Sequence, residues 1–259
     1  MIKFFAGALA LILCAAPASA QTIQWPGGQR AAIALTYDDA LKSQLDVAIP
    51  QLDAVGLKGT FFLMGRQIGA EIPRWRAAAA EGHELGNHTV NHPCARGTYE
   101  MAEQYTSEAY NVEVLINEIG VMNNLVQALD GKTTHAFATP CGQTRAGGAD
   151  YIDALQRSGY APFVRNATGG NERGFDPFNV PGQFFPDDVT GAQLIAYVEG
   201  VRQSGGYAVL GFHGVGGDYL SVSADAHREL VTYLKAHERE IWTAPFSDVL
   251  AVVQATRPR

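Results

Sequence analysis

The sequence predicts a single α/β domain whose parallel strands close into a barrel, with a site at the carboxyl ends of the strands. Short apolar runs alternate with helical patterns from Ala31 to the end of the chain, the signature of parallel strands joined by crossover helices. Seven or eight such repeats in under 240 residues favour a barrel over an open sheet. The polar residues that carry chemistry collect where apolar runs stop: Asp38-Asp39, His88, Thr139-Pro140-Cys141, Arg165-Asn166 and His213. Barrel sites are built at that face, and scattered structural polar residues would not gather there.

Residues 1–20 read as an export leader. Lys3 supplies the positive start, Phe4 to Leu13 a short apolar run, and Ala18-Ser19-Ala20 a small-x-small cleavage pattern. The run is shorter than the ~20 apolar residues a spanning helix needs, so stable membrane insertion is not expected. Leu13 also occupies the place where a lipidated Cys14 would want a small residue. The expected product is periplasmic or secreted, cut near Ala20, with residues 21–259 as one domain. No linker-like tract or internal repeat divides it.

Ala31–Tyr37 is apolar on both faces, as a buried parallel strand requires. Leu41 to Val55 carries Leu45, Ile49 and Leu52 at helical spacing, and Thr60–Met64 is the second strand. Ile72 to Ala80 reads as a helix, and His83–Gly86 leads into the third strand. Met101, Tyr105, Val112, Ile116, Ile119 and Leu129 predict an amphipathic helix of about 30 residues with a break near Gly120. Later strands are expected at Ala136–Thr139, Pro162–Arg165, Ala208–Phe212 and Ile241–Ala244. Helices are expected at Asp150–Ser158, Ala192–Gln203 and Ala226–Ala236.

The net charge of −7, −8 without Lys3, argues against nucleic acid or an anionic membrane as partner, since both demand clustered Lys and Arg. It suits a neutral or cationic substrate. Cys94 and Cys141 remain after the leader is removed, an even count that permits a disulfide in an oxidising compartment.

His88-Thr89-Val90-Asn91-His92 places two imidazoles four apart just after a strand, a spacing that can aim both rings at one centre. A carboxylate from the first strand would complete a two-histidine, one-carboxylate face for a divalent ion. Asp38-Asp39 makes sense as a division of labour, one binding the ion and the other taking a proton from water. Asp39 could instead cap the following helix. His213, flanked by glycines after an apolar run, suits a general acid. His83 and His135 lie at strand starts, the wrong end, and His227 and His237 are expected on the polar side of a late helix.

Thr36-Tyr37-Asp38-Asp39, Gly59-Thr60-Phe61-Phe62, Gly86-Asn87-His88-Thr89-Val90-Asn91-His92 and Leu210-Gly211-Phe212-His213 together resemble the polysaccharide deacetylase family, the carbohydrate esterases with a NodB homology domain. The resemblance runs from about Ala31 to Val252. It implies a distorted (β/α)7-type barrel and hydrolysis of an acetyl group by water activated on a divalent ion. Zinc would be the first candidate ion, with Co2+, Mn2+, Ni2+ or Fe2+ as alternatives. It also implies Asp39, His88 and His92 as ligands, Asp38 as base, His213 as acid and the Cys141 backbone amide as oxyanion donor.

Two departures stand out. The family's third motif, Phe-Arg-x-Pro-x-Gly, reads Phe137-Ala138-Thr139-Pro140-Cys141-Gly142 here. The missing arginine would favour the charged form of the base, and Arg165 is the candidate replacement. The fourth motif, Asp-x-x-Asp-Trp, is absent; Asp176 in the corresponding segment is a candidate to orient His213. The third motif also suggests a Cys94–Cys141 staple between the His92 loop and the oxyanion loop.

The expected substrate is an acetylated oligo- or polysaccharide, with the acyl group on nitrogen, as in N-acetylglucosamine polymers and peptidoglycan, or on oxygen, as in acetylated xylan. Hydrolysis of a small non-sugar amide, or glycan binding without turnover because Ala138 replaces the arginine, are the competing readings.

Overall fold

The computed structural model describes residues 23–167 and 175–256; the expected leader lies outside them. In chain order the strands are β1 (Ala31–Asp38), β2 (Thr60–Leu63), β3 (Glu84–Asn87), β4 (Phe137–Ala138), the hairpin pair β5 (Arg145–Ala146) and β6 (Ala149–Asp150), β7 (Val164–Asn166), β8 (Val180–Pro181), β9 (Gln183–Phe184), β10 (Tyr207–Phe212) and β11 (Ile241–Thr243). Around them lie α1 (Ile49–Ala54), α2 (Ile72–Ala80), α3 (Val112–Asp130), α4 (Ile152–Ser158), α5 (Gly191–Ser204), α6 (Ala224–Ala236) and α7 (Phe246–Ala255).

The main sheet runs β8-β7-β4-β3-β2-β1-β10-β9, with neighbours parallel throughout. Its two end strands are halves of one segment, separated only by Gly182. That segment pairs with β7 through Val180-Pro181 and with β10 through Gln183-Phe184, so it closes the barrel on itself. The ring therefore has seven staves: β1, β2, β3, β4, β7, the shared segment and β10. A Cβ at Gly182 would come 3.1 Å from the Asn166 carbonyl and 3.2 Å from Arg165 Cδ, so a larger residue would press on both where the closing segment runs over Arg165. β11 pairs with the first residues of β1.

β1 shows why both its faces are apolar. Ile33, Leu35 and Tyr37 join the cluster that includes Leu52, Leu194, Val198, Leu230 and Leu234, between barrel and helices. Ala32 and Ala34 join Phe62, Ala138, Val209 and α7 residues Phe246 and Leu250 inside the barrel. The alanines keep the interior narrow. Helix α7, which the sequence reading did not anticipate, plugs the amino-terminal end: the Phe246 N–H donates to Thr60 Oγ1 at 2.8 Å, and the Ser247 N–H to Glu84 Oε2 at 3.1 Å. With that end closed, the other is the accessible mouth.

Three expectations need correction. The long helix does not begin near Met101 or break at Gly120. Asn111, extended in backbone, accepts the Val114 N–H in its side chain and starts α3 there. Gly120 continues the helix, and a Cβ on it would stand 3.0 Å from the Tyr160 ring, so the glycine serves packing. The helix expected over 41–55 is present but not regular: it carries a π-helical turn, Gln44–Ala48, ahead of α1. There the buried Gln44 side chain donates to the Asp38 carbonyl and, at 3.0 Å, to the His213 carbonyl, tying two strand ends together. His227 is not on a polar face but fully buried. Its Nδ1–H donates to Gln51 Oε1 at 2.6 Å and its Nε2 accepts from the Tyr37 hydroxyl at 2.7 Å. Burial pushes its pKa down to about 3, so this imidazole is a neutral core residue.

Among the described residues, no helix is long and apolar enough to cross a membrane.

Candidate active site

A cleft of about 830 Å3 opens at the carboxyl ends of the strands, lined by Asp38, Asp39, His88, His92, Arg165 and His213 among others. Neighbours on a strand point to opposite faces, yet Asp38 and Asp39 both arrive here. The chain leaves β1 with Asp39 at φ 76° and Ala40 at φ 57°, a left-handed turn that breaks the strand's alternation. His88 Nε2 consequently has Asp39 Oδ1 at 3.4 Å and Asp38 Oδ2 at 3.8 Å. The second loop is bent likewise, with Thr89 at φ 63° and His92 at φ 56°. Asn87 Oδ1 accepts the Thr89 N–H at 2.8 Å, and Thr89 Oγ1 accepts the His92 N–H at 2.9 Å. All seven non-glycine residues with positive φ among those described lie at this mouth or on its loops: Asp39, Ala40, Thr89, His92, Cys141, Asp218 and Leu220. Strain of this kind persists where surrounding contacts over-determine it.

Sequence reading missed Glu118. Its Oε1 accepts the N–H groups of Val90 and Asn91 at 3.0 and 2.8 Å, and its Oε2 accepts Asn91 Nδ2 and the Tyr110 hydroxyl. One carboxylate thus clamps the loop between the two histidines. The available signal was a charge on the apolar stripe of α3, three residues after Leu115 and four before Met122.

Asp39, His88 and His92 offer three buried donor atoms that converge. The separations are 3.1 Å between the two Nε2 atoms, 3.4 Å from His88 Nε2 to Asp39 Oδ1 and 3.5 Å from His92 Nε2 to the same oxygen. Ligands on a cation with ~2.1 Å bonds stand about 3.0–3.4 Å apart, so the triangle fits. His88 Nδ1 faces the Ala138 carbonyl at 2.9 Å, an acceptor only, so Nδ1 carries the proton and Nε2 turns its lone pair inward. Asp39 Oδ1 is buried with no hydrogen-bond partner, a cost that a bound cation removes. Burial favours the neutral form of Asp39, but contact with His88 and the charges of His88, His92 and His213 outweigh it and hold the carboxyl well below the usual range. Burial and the charge of His88 press His92 down to about 4. Burial opposes protonation of His88 too, but the charges of Asp38 and Asp39 prevail and raise it.

Arg165 fills the gap left at the third motif. It is 1% exposed, and its Nη2 donates to Asp38 Oδ2 at 2.6 Å. Its guanidinium lies 4.9 Å from the ring centres of both Phe62 and Phe184, a sandwich that suits a weakly hydrated planar cation. His213 stands across the site, its Nε2 3.8 Å from Asp39 Oδ2. Cys141, in the left-handed region at φ 52°, lines the cleft and is joined to Cys94 by a disulfide that ties the His92 loop to the third-motif loop. Asp176 is not brought to His213. It is exposed and accepts the Phe178 N–H at 2.9 Å as a turn cap, while among the described residues the His213 ring meets Asp39, Phe184 and Tyr219.

The polysaccharide deacetylase family model matches residues 27–162, more than half of the chain and the part that carries both the aspartate pair and the two histidines. The chain belongs to the polysaccharide deacetylase family. One curated relative is a peptidoglycan-N-acetylglucosamine deacetylase of Bacillus cereus, 31% identical over 91 residues, which are 35% of this chain and 32% of that protein. The curated matches span between 4 and 32% of those relatives' own lengths. Among solved structures, a candidate polysaccharide deacetylase from Mycobacterium smegmatis superposes with a TM-score of 0.64 at 18% identity, over 93% of this chain and 98% of that one. A family 4 acetyl xylan esterase from Clostridium thermocellum, solved with cobalt, gives 0.55 at 18% identity over 85% and 91%. At such identities the structures establish the shared fold: this polysaccharide deacetylase family chain is one (β/α)7-type barrel.

Proposed function

We propose that this chain is an exported metal-dependent hydrolase that removes acetyl groups from carbohydrate, with the ion held by Asp39, His88 and His92. The observation that carries this is the convergence of two imidazole Nε2 atoms and an unpartnered carboxylate oxygen beside a second, arginine-paired carboxylate. A divalent ion there would supply Lewis acidity, polarising a carbonyl and acidifying water near neutral pH; zinc leads, and cobalt is supported by the acetyl xylan esterase solved with that ion.

The chain's own groups then divide the proton work. Arg165 engages Asp38 Oδ2, which leaves Oδ1, buried and unpartnered, to take the proton from the attacking water. The Cys141 backbone amide, fixed by the disulfide, holds the charge that develops on the acetyl oxygen. His213, 22% exposed at its side chain, returns a proton to the departing sugar nitrogen or oxygen, and acetate and the free sugar group leave.

Related proteins named for an N-acetyl substrate and for acetyl xylan make both amides and esters reasonable substrates. Acetate release from acetylated chito-oligosaccharides and from acetylxylan is the test. Metal-depleted protein is expected to be silent and to recover with Zn2+ or Co2+. Full activity that survives metal depletion would contradict the proposal, as would absence of release from either substrate by metal-loaded protein.

A further inference from the structure

Two half-exposed tyrosines from distant loops each place a hydroxyl on a different member of the ligand triad. Tyr99 is 45% exposed and Tyr219 47%, and both line the cleft. The Tyr99 hydroxyl donates to the His92 carbonyl at 3.0 Å and lies 3.3 Å from His92 Nδ1. A hydroxyl has one proton; with that proton spent on the carbonyl, only a lone pair faces the ring. His92 Nδ1 must then carry the ring proton, and Nε2 keeps its lone pair for the centre. Ala138 does the same for His88 through a carbonyl, so Tyr99 completes the set.

The Tyr219 hydroxyl donates to Asp39 Oδ2 at 2.8 Å. That fixes which carboxylate oxygen is left over: Oδ1, the atom facing both histidines. Tyr219 is held for the task. Its neighbours Asp218 and Leu220 sit at φ 61° and 45°, its carbonyl accepts the Gly214 N–H at 3.1 Å, and Asp218 Oδ2 accepts the Ser43 N–H at 2.7 Å. Val215 N–H donates to Ser43 Oγ at 3.2 Å. The loop that carries Tyr219 is thereby anchored to the segment that leaves Asp39.

We propose that Tyr99 and Tyr219 are positioning residues for the ion site, each hydroxyl fixing one ligand while its ring forms a wall of the cleft for the apolar face of a sugar. The inference rests on the metal-dependent reading above. It joins substrate and ion: a sugar that packs on either ring presses on the group orienting a ligand.

The test uses full-length, metal-free protein titrated with Co2+ by equilibrium dialysis, for wild type, Tyr99→Phe and Tyr219→Phe, beside the melting temperature of each metal-free protein. Loss of an orienting partner typically weakens metal affinity about 10–100-fold. Each Phe variant is expected to show that loss while the metal-free protein keeps one cooperative melting transition, and saturating Co2+ is expected to restore most of kcat. Tyr99→Ala and Tyr219→Ala are expected to raise KM as well, because the wall is gone. Wild-type Co2+ affinity in both Phe variants would overturn the inference while leaving the ion site intact. Absence of Co2+ binding by the wild type would overturn the ion site itself, and this inference with it.

Discussion

Replacing Asp38 by Asn is expected to lower kcat by about 10²–10⁴-fold, the range a positioned general base contributes, while ion affinity stays within a few-fold of wild type. Asp38 Oδ2 is taken by Arg165 at 2.6 Å, and Oδ1 has no partner although it is buried. An amide preserves the shape and one acceptor but cannot take a proton from water. Asp39→Asn is expected to behave oppositely. It strikes the carboxylate shared by His88 and His92 at 3.4 and 3.5 Å, so ion affinity collapses and activity with it. Steady-state kinetics paired with metal titration of the two variants separates the roles. Loss of ion binding in Asp38→Asn with retention in Asp39→Asn would reverse the assignment.

Arg165→Met is the second large effect. Both members of the Arg165–Asp38 pair are buried, at 1 and 4% side-chain exposure. Removing one partner of such a pair costs about 3–5 kcal/mol, because the other charge is left uncompensated in a low-dielectric interior. Urea unfolding of the metal-free protein is expected to show that loss, and kcat is expected to fall because Asp38 no longer has a fixed orientation. The sheet suggests a compensation. Ala138 and Arg165 are register partners on β4 and β7, and the position of Ala138 is where the family carries its motif arginine. Adding Ala138→Arg to Arg165→Met returns a guanidinium from one strand over, and partial recovery of both stability and kcat is expected. Wild-type stability in Arg165→Met would show that the pair does not hold Asp38.

Much of this site was legible in the sequence because its residues sit where apolar runs end. The run Ala31–Tyr37 stops at Asp38-Asp39, and Leu210–Phe212 stops at His213; parallel strands with a common direction bring such ends to one face. Arg165 was reachable because a missing motif arginine leaves a carboxylate that must be satisfied from a neighbouring strand end. What escaped was long-range. Barrel closure by the 180–184 segment depends on a glycine's close approach between two strands, for which no local pattern exists. His227 looked like a polar-face residue because helical periodicity does not reveal that Tyr37 and Gln51 supply partners for both ring nitrogens. Tyr219 carried no motif at all, since its role comes from a strained loop folding back on Asp39. Asp176 failed for the converse reason: an aspartate after a phenylalanine and before a proline is turn chemistry first.

The claim on which the rest depends is that Asp39, His88 and His92 bind one ion. Crystals grown from metal-depleted protein and soaked with Zn2+ can be measured at the zinc absorption edge. One anomalous peak per chain, contacted by Asp39 Oδ1 and the Nε2 atoms of His88 and His92, is the result expected. A map with no peak among these three side chains, in protein whose fold is otherwise unchanged, would contradict the account.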